Sequence, residues 1–308
     1  MSAAPPHPRR IVAIGEAMIE LSALDLTQGR AVLDVAGDTL NTAIYLARLL
    51  GGAPFRIDYI TCLGRDRLSE GMIARMVAEG LGIEGIQRHP TRLPGLYAIE
   101  VDAAGERSFC YWRSTSAART LFEHGRGPDD LLSGADVVYL SGITLAVLSD
   151  AARAALIAAC AKAKAAGRTV VFDSNYRPAL WPDPAAAHDA MAAMWRATTL
   201  ALPSSDDERV LHPGAQDDAI LSRIAACGVP EIVLKRGAAG PLVSFDERTE
   251  ALPVAPVADV VDSTAAGDSF NAGYLAGRLR GQGPMQAAQA AHELAARVLR
   301  HRGAILPR

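Results

Sequence analysis

From Val137 onward the chain repeats one unit: a short continuous apolar run, an Ala-rich stretch of helical character, then another apolar run. VVYLSG is followed by a helical segment at Ser149–Ala166, then by TVVFDSN. A helix around Ala185–Trp195 precedes the run TLALPS, and EIVLK comes later. Apolar runs without alternation must be buried on both faces, so such strands belong to a parallel sheet covered by helices on either side. Ligands of these sheets collect beyond the carboxyl ends of the strands. The functional expectation therefore falls just after YLSG, VVFD, LALPS, IVLK and ADVVD, where Asn175, Arg177, Glu208, Lys235 and Asp268 stand.

The first third of the chain reads differently. RRIVAIGEAMIELSAL and AVLDVAG have strand character, and a helix over Thr39–Leu50 is ended by Gly51-Gly52. LPGLYAIEV and ERSFCYWR are alternating strands joined by DAAG, a hairpin. With the turn centred on Ala104, Tyr97 faces Tyr111, and Tyr97, Ile99, Phe109, Tyr111 and Arg113 share one face. Such a face suits a lid over a polar ligand, and it suits equally a half-buried sheet face with Arg113 at its rim.

At 308 residues, half of them hydrophobic and 21% charged, the chain can bury a large core. Net charge is −3 and no Lys/Arg block tracks a phosphate backbone, which argues against nucleic acid as partner. Cys62, Cys110, Cys160 and Cys227 show no paired spacing, which fits a reducing, cytoplasmic setting without a zinc site. The Pro-rich start MSAAPPHPRR has no signal-peptide core, and no later run is long enough to cross a bilayer.

The densest chemical signal is VADVVDSTAAGDSFNAGYLAGRLR, Val257–Arg280. It reads as a strand ending at Val261, a turn of small residues, then a helix. Small residues admit a ligand close to the backbone, and the free amides of a first helical turn bind phosphate. The amides of Ala265, Ala266 and Gly267 are placed to meet charge developing on a transferred phosphoryl group. Asp268 in that turn is expected to stay ionised under the helix dipole and to accept a hydroxyl proton. Each piece has a plainer reading: Asp is common in a first turn, and Ser263 or Thr264 would serve as an ordinary cap.

Asp262-Ser263-Thr264-Ala265-Ala266-Gly267-Asp268 resembles the signature Asp-Thr-x-Gly-Ala-Gly-Asp of the ribokinase (PfkB-type) carbohydrate kinases. Ser263 keeps the hydroxyl of the family's Thr. Ala265 replaces its usual Gly, so that position is expected to use backbone angles open to an L-residue. Ala36-Gly37-Asp38-Thr39-Leu40-Asn41-Thr42-Ala43 is similar to the family's Gly-Gly-x-x-x-Asn-x-Ala motif, with Ala36 for the first Gly. GEAMIEL, RLPGLYAIE, GERSFCYWR, YLSGI, NYRPALW and RGAILPR extend the resemblance, which is nearest the 2-keto-3-deoxygluconate kinase branch.

That resemblance implies one ribokinase-like α/β domain over residues 1–308, with a mostly parallel central sheet, helices on both faces and a small β lid from about 16–36 and 94–114. It implies ATP and Mg²⁺, and phosphorylation of a sugar acid at its 6-hydroxyl with Asp268 as base. Gly37, Asp38 and Asn41 would hold sugar hydroxyls, and Tyr97, Tyr111 and Arg113 the acid end. Arg177 would lie between substrate and phosphates, with Asn175, Lys235, Gly237 and Gly240 on the nucleotide side. Glu208 would act on Mg²⁺ through water, although Ser205 replaces the family's Asn and Ser205–Glu208 also fits a helix capping box.

Arg113 and Arg177 near one cleft independently match a carboxylate and phosphates, provided neither is taken by a protein carboxylate. Lid sheets have exposed edges, so a homo-oligomer through the lid is expected. Three rivals are a neutral-sugar kinase such as a fructokinase, a non-catalytic sugar-acid binder, and a dinucleotide oxidoreductase. The last lacks Gly-x-Gly-x-x-Gly after the first strand. His292, in an Ala-rich helix, is expected to face solvent or core rather than an adenine ring.

Overall fold

Ile11–Ile14 is wholly buried, and its side chains alternate between two hydrophobic cores. Ile11 and Ala13 join one core, Val12 and Ile14 the other, as a strand sandwiched between helical layers requires. The computed structural model describes residues 9–51, 54–101 and 107–308. Within them the strands are β1 (Arg9–Ile14), β2 (Met18–Asp25), β3 (Arg30–Ala36), β4 (Phe55–Ile60), β5 (Cys62–Leu63), β6 (Gln87–Arg88), β7 (Gly95–Val101) and β8 (Arg107–Trp112). They continue with β9 (Val137–Ser141), β10 (Thr169–Asp173), β11 (Leu200–Ala201), β12 (Glu231–Leu234), β13 (Leu242–Phe245) and β14 (Arg248–Ala251).

Among the described residues the main sheet has the order β14-β13-β12-β11-β10-β9-β1-β4. It is parallel from β4 to β12, and a hairpin adds β13 and β14 antiparallel at one edge. The expected α/β sheet with helices on both faces is thus present. The 235–241 segment is the tight link of the β12–β13 hairpin.

The second sheet, β3-β2-β7-β8, is built from the early strands and the hairpin. Tyr97 pairs with Tyr111, the register read from the sequence, while the turn around Ala104 lies outside the described residues.

Two helices bring the site together. The first, Asp38–Leu50, begins one residue earlier than expected and is buried through most of its length. It packs against Ala266–Leu279, which in turn packs on Pro284–Leu299. Gly37 precedes the first helix because a Cβ there would meet the Glu16 carbonyl at 2.4 Å.

One expected element is absent. Residues 257–261 form no strand: Asp259 is left-handed (φ 58°), which breaks an extended run. The Val261 amide instead donates to the carbonyl of Leu299 at 2.8 Å.

Candidate active site

A cleft of about 940 Å³ lies between the carboxyl ends of the main sheet and the second sheet. Its floor is the turn entering the Ala266–Leu279 helix. Asp262 is buried and braces that turn: Oδ1 accepts from the Thr264 amide at 2.9 Å and Oδ2 from the Gly303 amide at 2.7 Å. Ala265 is the N-cap with φ 59°, ψ 14°, and no side chain caps the helix. Neither Ser263 nor Thr264 is therefore an ordinary cap.

Ala265 also does not use the common backbone angles of an L-residue. It holds the left-handed conformation that Gly would take freely, which marks local strain. The Ala266 amide donates to Ser263 O at 3.3 Å, while the Ala265 and Gly267 amides take no backbone partner among the described residues.

Asp268 is half-buried at the third position of the helix, facing the cleft, and its Oδ2 accepts from Asn41 Nδ2 at 2.9 Å. Burial first, then the nearby Asp38 carboxylate, pushes its pKa up to about 8. The helix terminus therefore does not keep it an ordinary ionised carboxylate, because desolvation outweighs the dipole here. Asp38 opens its own helix, and its Oδ2 accepts from Ser141 Oγ at 2.5 Å and Asn175 Nδ2 at 2.8 Å. Burial raises its pKa as well.

Behind these carboxylates runs a second set of buried groups. Lys235 Nζ donates to Asp173 Oδ2 at 2.8 Å and to Asn271 Oδ1 at 3.0 Å. Asn271 Nδ2 donates to Asp173 at 2.6 Å and to the Tyr139 hydroxyl at 3.0 Å.

Above the floor, the rings of Tyr97, Phe109 and Tyr111 cluster, with Tyr97 and Tyr111 centroids 5.6 Å apart. The Tyr97 hydroxyl donates to Glu20. Arg113 pairs with buried Glu16, whose other oxygen accepts from Ser116 Oγ at 2.5 Å. Arg177 pairs with Asp207 at 2.9 Å and donates to its neighbour's carbonyl, Tyr176 O, at 2.8 Å. Both arginines are thus taken by protein carboxylates, which removes the inference of two unpaired guanidinium forks. What survives is Arg113 Nε, buried without a partner among the described residues.

Gly37, Asp38, Asn41, Tyr97, Tyr111, Arg113, Asn175, Arg177, Lys235, Gly237 and Ala265–Asp268 all line this one cleft. Gly240 and Glu208 do not. Glu208 is buried against Arg223, and its helix is capped by Ser204, whose Oγ accepts from the Asp207 amide, rather than by Ser205. Adjacent serines are indistinguishable as caps without the backbone. His292 lines the cleft, against expectation.

Glu16, Asp173 and Asp207 line the cleft too but were not singled out from the sequence, and neither were Ser141 and Asn271 behind them. Asp173 and Ser141 each end an apolar run, a signal that could have found them.

The pfkB family carbohydrate kinase model matches residues 8–308. The chain belongs to that family. It is 43% identical to the 2-dehydro-3-deoxygluconokinase of Dickeya dadantii, with 97% of each chain covered. Identity to the corresponding Escherichia coli K12 protein is 40%, covering 97% of this chain and 98% of that one. A fructokinase of Salmonella typhimurium is more distant, 30% identical over 87% of this chain and 83% of its own.

Solved structures share the fold. The 2-dehydro-3-deoxygluconokinase of Thermotoga maritima superposes with a TM-score of 0.83 at 21% identity, covering 97% of this chain and 95% of that one. A putative ribokinase II from E. coli, solved with ATP and Mg²⁺, gives 0.82 at 24%, covering 96% and 94%. The α/β chain is therefore ribokinase-like, and it is a carbohydrate kinase.

Proposed function

We propose that the chain transfers the γ-phosphoryl group of ATP to the 6-hydroxyl of 2-dehydro-3-deoxy-D-gluconate, giving the 6-phosphate and ADP. The observation that carries this reading is Asp268, facing the cleft from the first turn of a helix beside two amides without backbone partners among the described residues. Asn41 occupies Oδ2 and leaves Oδ1 to the substrate hydroxyl. A carboxyl with a pKa near 8 is a far stronger base than an exposed aspartate, so it takes the hydroxyl proton as the oxygen attacks phosphorus. The Ala265 and Gly267 amides stabilise charge on the phosphoryl oxygens.

Asp38, Asn41 and Gly37 hold sugar hydroxyls, and Arg113 Nε with Tyr111 takes the carboxylate. The identity to 2-dehydro-3-deoxygluconokinases, above that to the fructokinase, supports the acid over a neutral sugar. Residues 1–308 act as one unit in which the second sheet closes as a lid and excludes water.

Mg²⁺ fits a site where phosphates supply most of its oxygens and the protein one or two carboxylates. Asp207 lines the cleft and suits that part, whereas Glu208 is turned to Arg223. When bound, the ion would neutralise charge on the β- and γ-phosphates. Exposed Val32, Leu33 and Trp112 on the second sheet support pairing of two lids, and the cell compartment that fits is the cytoplasm. Among the described residues no helix is long and apolar enough to cross a membrane.

A neutral-sugar kinase is the second reading, favoured by Glu16 and Asp207 already neutralising both arginines. The test is ADP release with ATP and Mg²⁺ against 2-keto-3-deoxygluconate, its galactonate epimer, fructose, ribose and gluconate. A preference of roughly 10²-fold or more for the keto-deoxy acids is expected. Preference for fructose or ribose would keep the kinase and overturn the acid pocket.

A further inference from the structure

Arg177 and Lys235 both reach the cleft, and they are held differently. Arg177 is 51% exposed and pairs with Asp207 near the mouth. The Lys235 side chain is 13% exposed, and Asp173 and Asn271 take two of its three N–H donors. Asp173 is itself occupied by Asn271 and by the Asn175 amide, so the ammonium is fixed and one donor is left over.

Beside it stands Gly267. Its backbone is helical and needs no glycine. A Cβ there would meet nothing in the protein within 4 Å except Lys235 Nζ, at 3.8 Å. Packing therefore gives no reason for glycine, a poor helix former, and the space it leaves is bounded by an ammonium and by amides without backbone partners. A phosphate-like anion satisfies all of those donors at once.

We infer that Lys235 is a catalytic residue whose ammonium touches an oxygen of the phosphoryl group in flight. The inference rests on the phosphoryl-transfer reading above. The sugar oxygen bonds to the γ-phosphorus, the bond to the β,γ-bridging oxygen breaks, and the hydroxyl proton goes to Asp268. Lys235 keeps its proton throughout and offsets the charge on the transferring group. Asp173 and Asn271 are positioning residues.

The test uses the full chain and three variants, K235Q, K235R and G267A, each measured for thermal unfolding, ATP and ADP affinity with Mg²⁺, and turnover. K235Q is expected to lose ~10²–10³-fold in turnover. Its affinity for ATP should fall roughly 10-fold more than that for ADP, and K235R should recover part of both. G267A should melt higher than the parent, because alanine favours the helix, yet lose turnover because its methyl fills the phosphoryl space.

Turnover of K235Q within about threefold of the parent, with an unchanged ATP-to-ADP ratio, would overturn the inference. So would a fully active G267A, which decides the matter if K235Q fails to fold. If the unaltered chain phosphorylates no sugar, the kinase assignment of this cleft fails. The ATP-to-ADP split in K235Q still reports separately whether the ammonium meets the γ-phosphate.

Discussion

The floor of the cleft locks Asp38, Asp173, Asn271 and Lys235 into hydrogen bonds with one another and with their surroundings, whereas the second sheet above it presents Phe109 and Tyr111 half open to solvent. The floor is assembled from distant parts of the main domain, and its polar groups are mostly buried and bonded. The face of the second sheet is aromatic, and only Tyr97 of its three clustered rings is buried. The contrast separates two tasks. Charge that develops for an instant needs dipoles already in place, because reorganising them would add to the barrier. Choosing a substrate needs surface that changes when the ligand binds.

Breaking the floor should cost most. Asp268→Asn is expected to lower turnover by ~10³-fold or more while ATP binding, followed by titration, stays near normal. Retained turnover would deny the floor its chemical role.

Breaking the lid should cost less and selectively. Arg113→Ala is expected to raise KM for the sugar acid ~10–100-fold and for a neutral sugar far less. Equal effects on both substrates would show that Arg113 only braces Glu16.

The pH dependence sharpens the contrast further. The Asp268 pKa of about 8 predicts that kcat/KM rises with pH up to that region. Asp38→Asn should move the rising limb to lower pH, since the Asp38 charge is one cause of the shift. Stability should run the opposite way. A carboxyl whose folded pKa lies above its unfolded one favours folding at low pH, and that contribution is lost as pH rises through the folded value. Urea midpoints should therefore fall between about pH 4 and pH 8 in the parent and fall less in Asp268→Asn.

The smallest effect belongs to Ala265→Gly. Relief of the left-handed alanine, less the entropy a glycine gains when unfolded, should add about 0.5–1 kcal/mol, read as a rise in Tm of about 1 °C.

Much of this was legible in the residues. Continuous apolar runs announced the main sheet, and alternation around Ala104 gave the pairing of Tyr97 with Tyr111. What periodicity could not carry was backbone sign: Asp259 and Ala265 are left-handed, and neither is a glycine. Nor could it show which carboxylate meets which cation. Glu16 lies 97 positions from Arg113, Asp173 lies 62 from Lys235, and such pairs exist only once the strands are ordered. The dipole argument for Asp268 failed for a related reason, since burial is a property of the assembled cleft.

The clasp of Asp262 on the amides of Thr264 and Gly303 has a consequence for biosynthesis. Thr264 can be held from within its own turn, but the other half of the clasp, and the Leu299 carbonyl that receives Val261 and Asp262, come from some 40 residues later. A ribosome that has delivered every strand of the main sheet has therefore not yet delivered a braced turn beside Asp268. The nascent chain can fold its sheet early and must wait for this late segment before it acquires phosphotransfer.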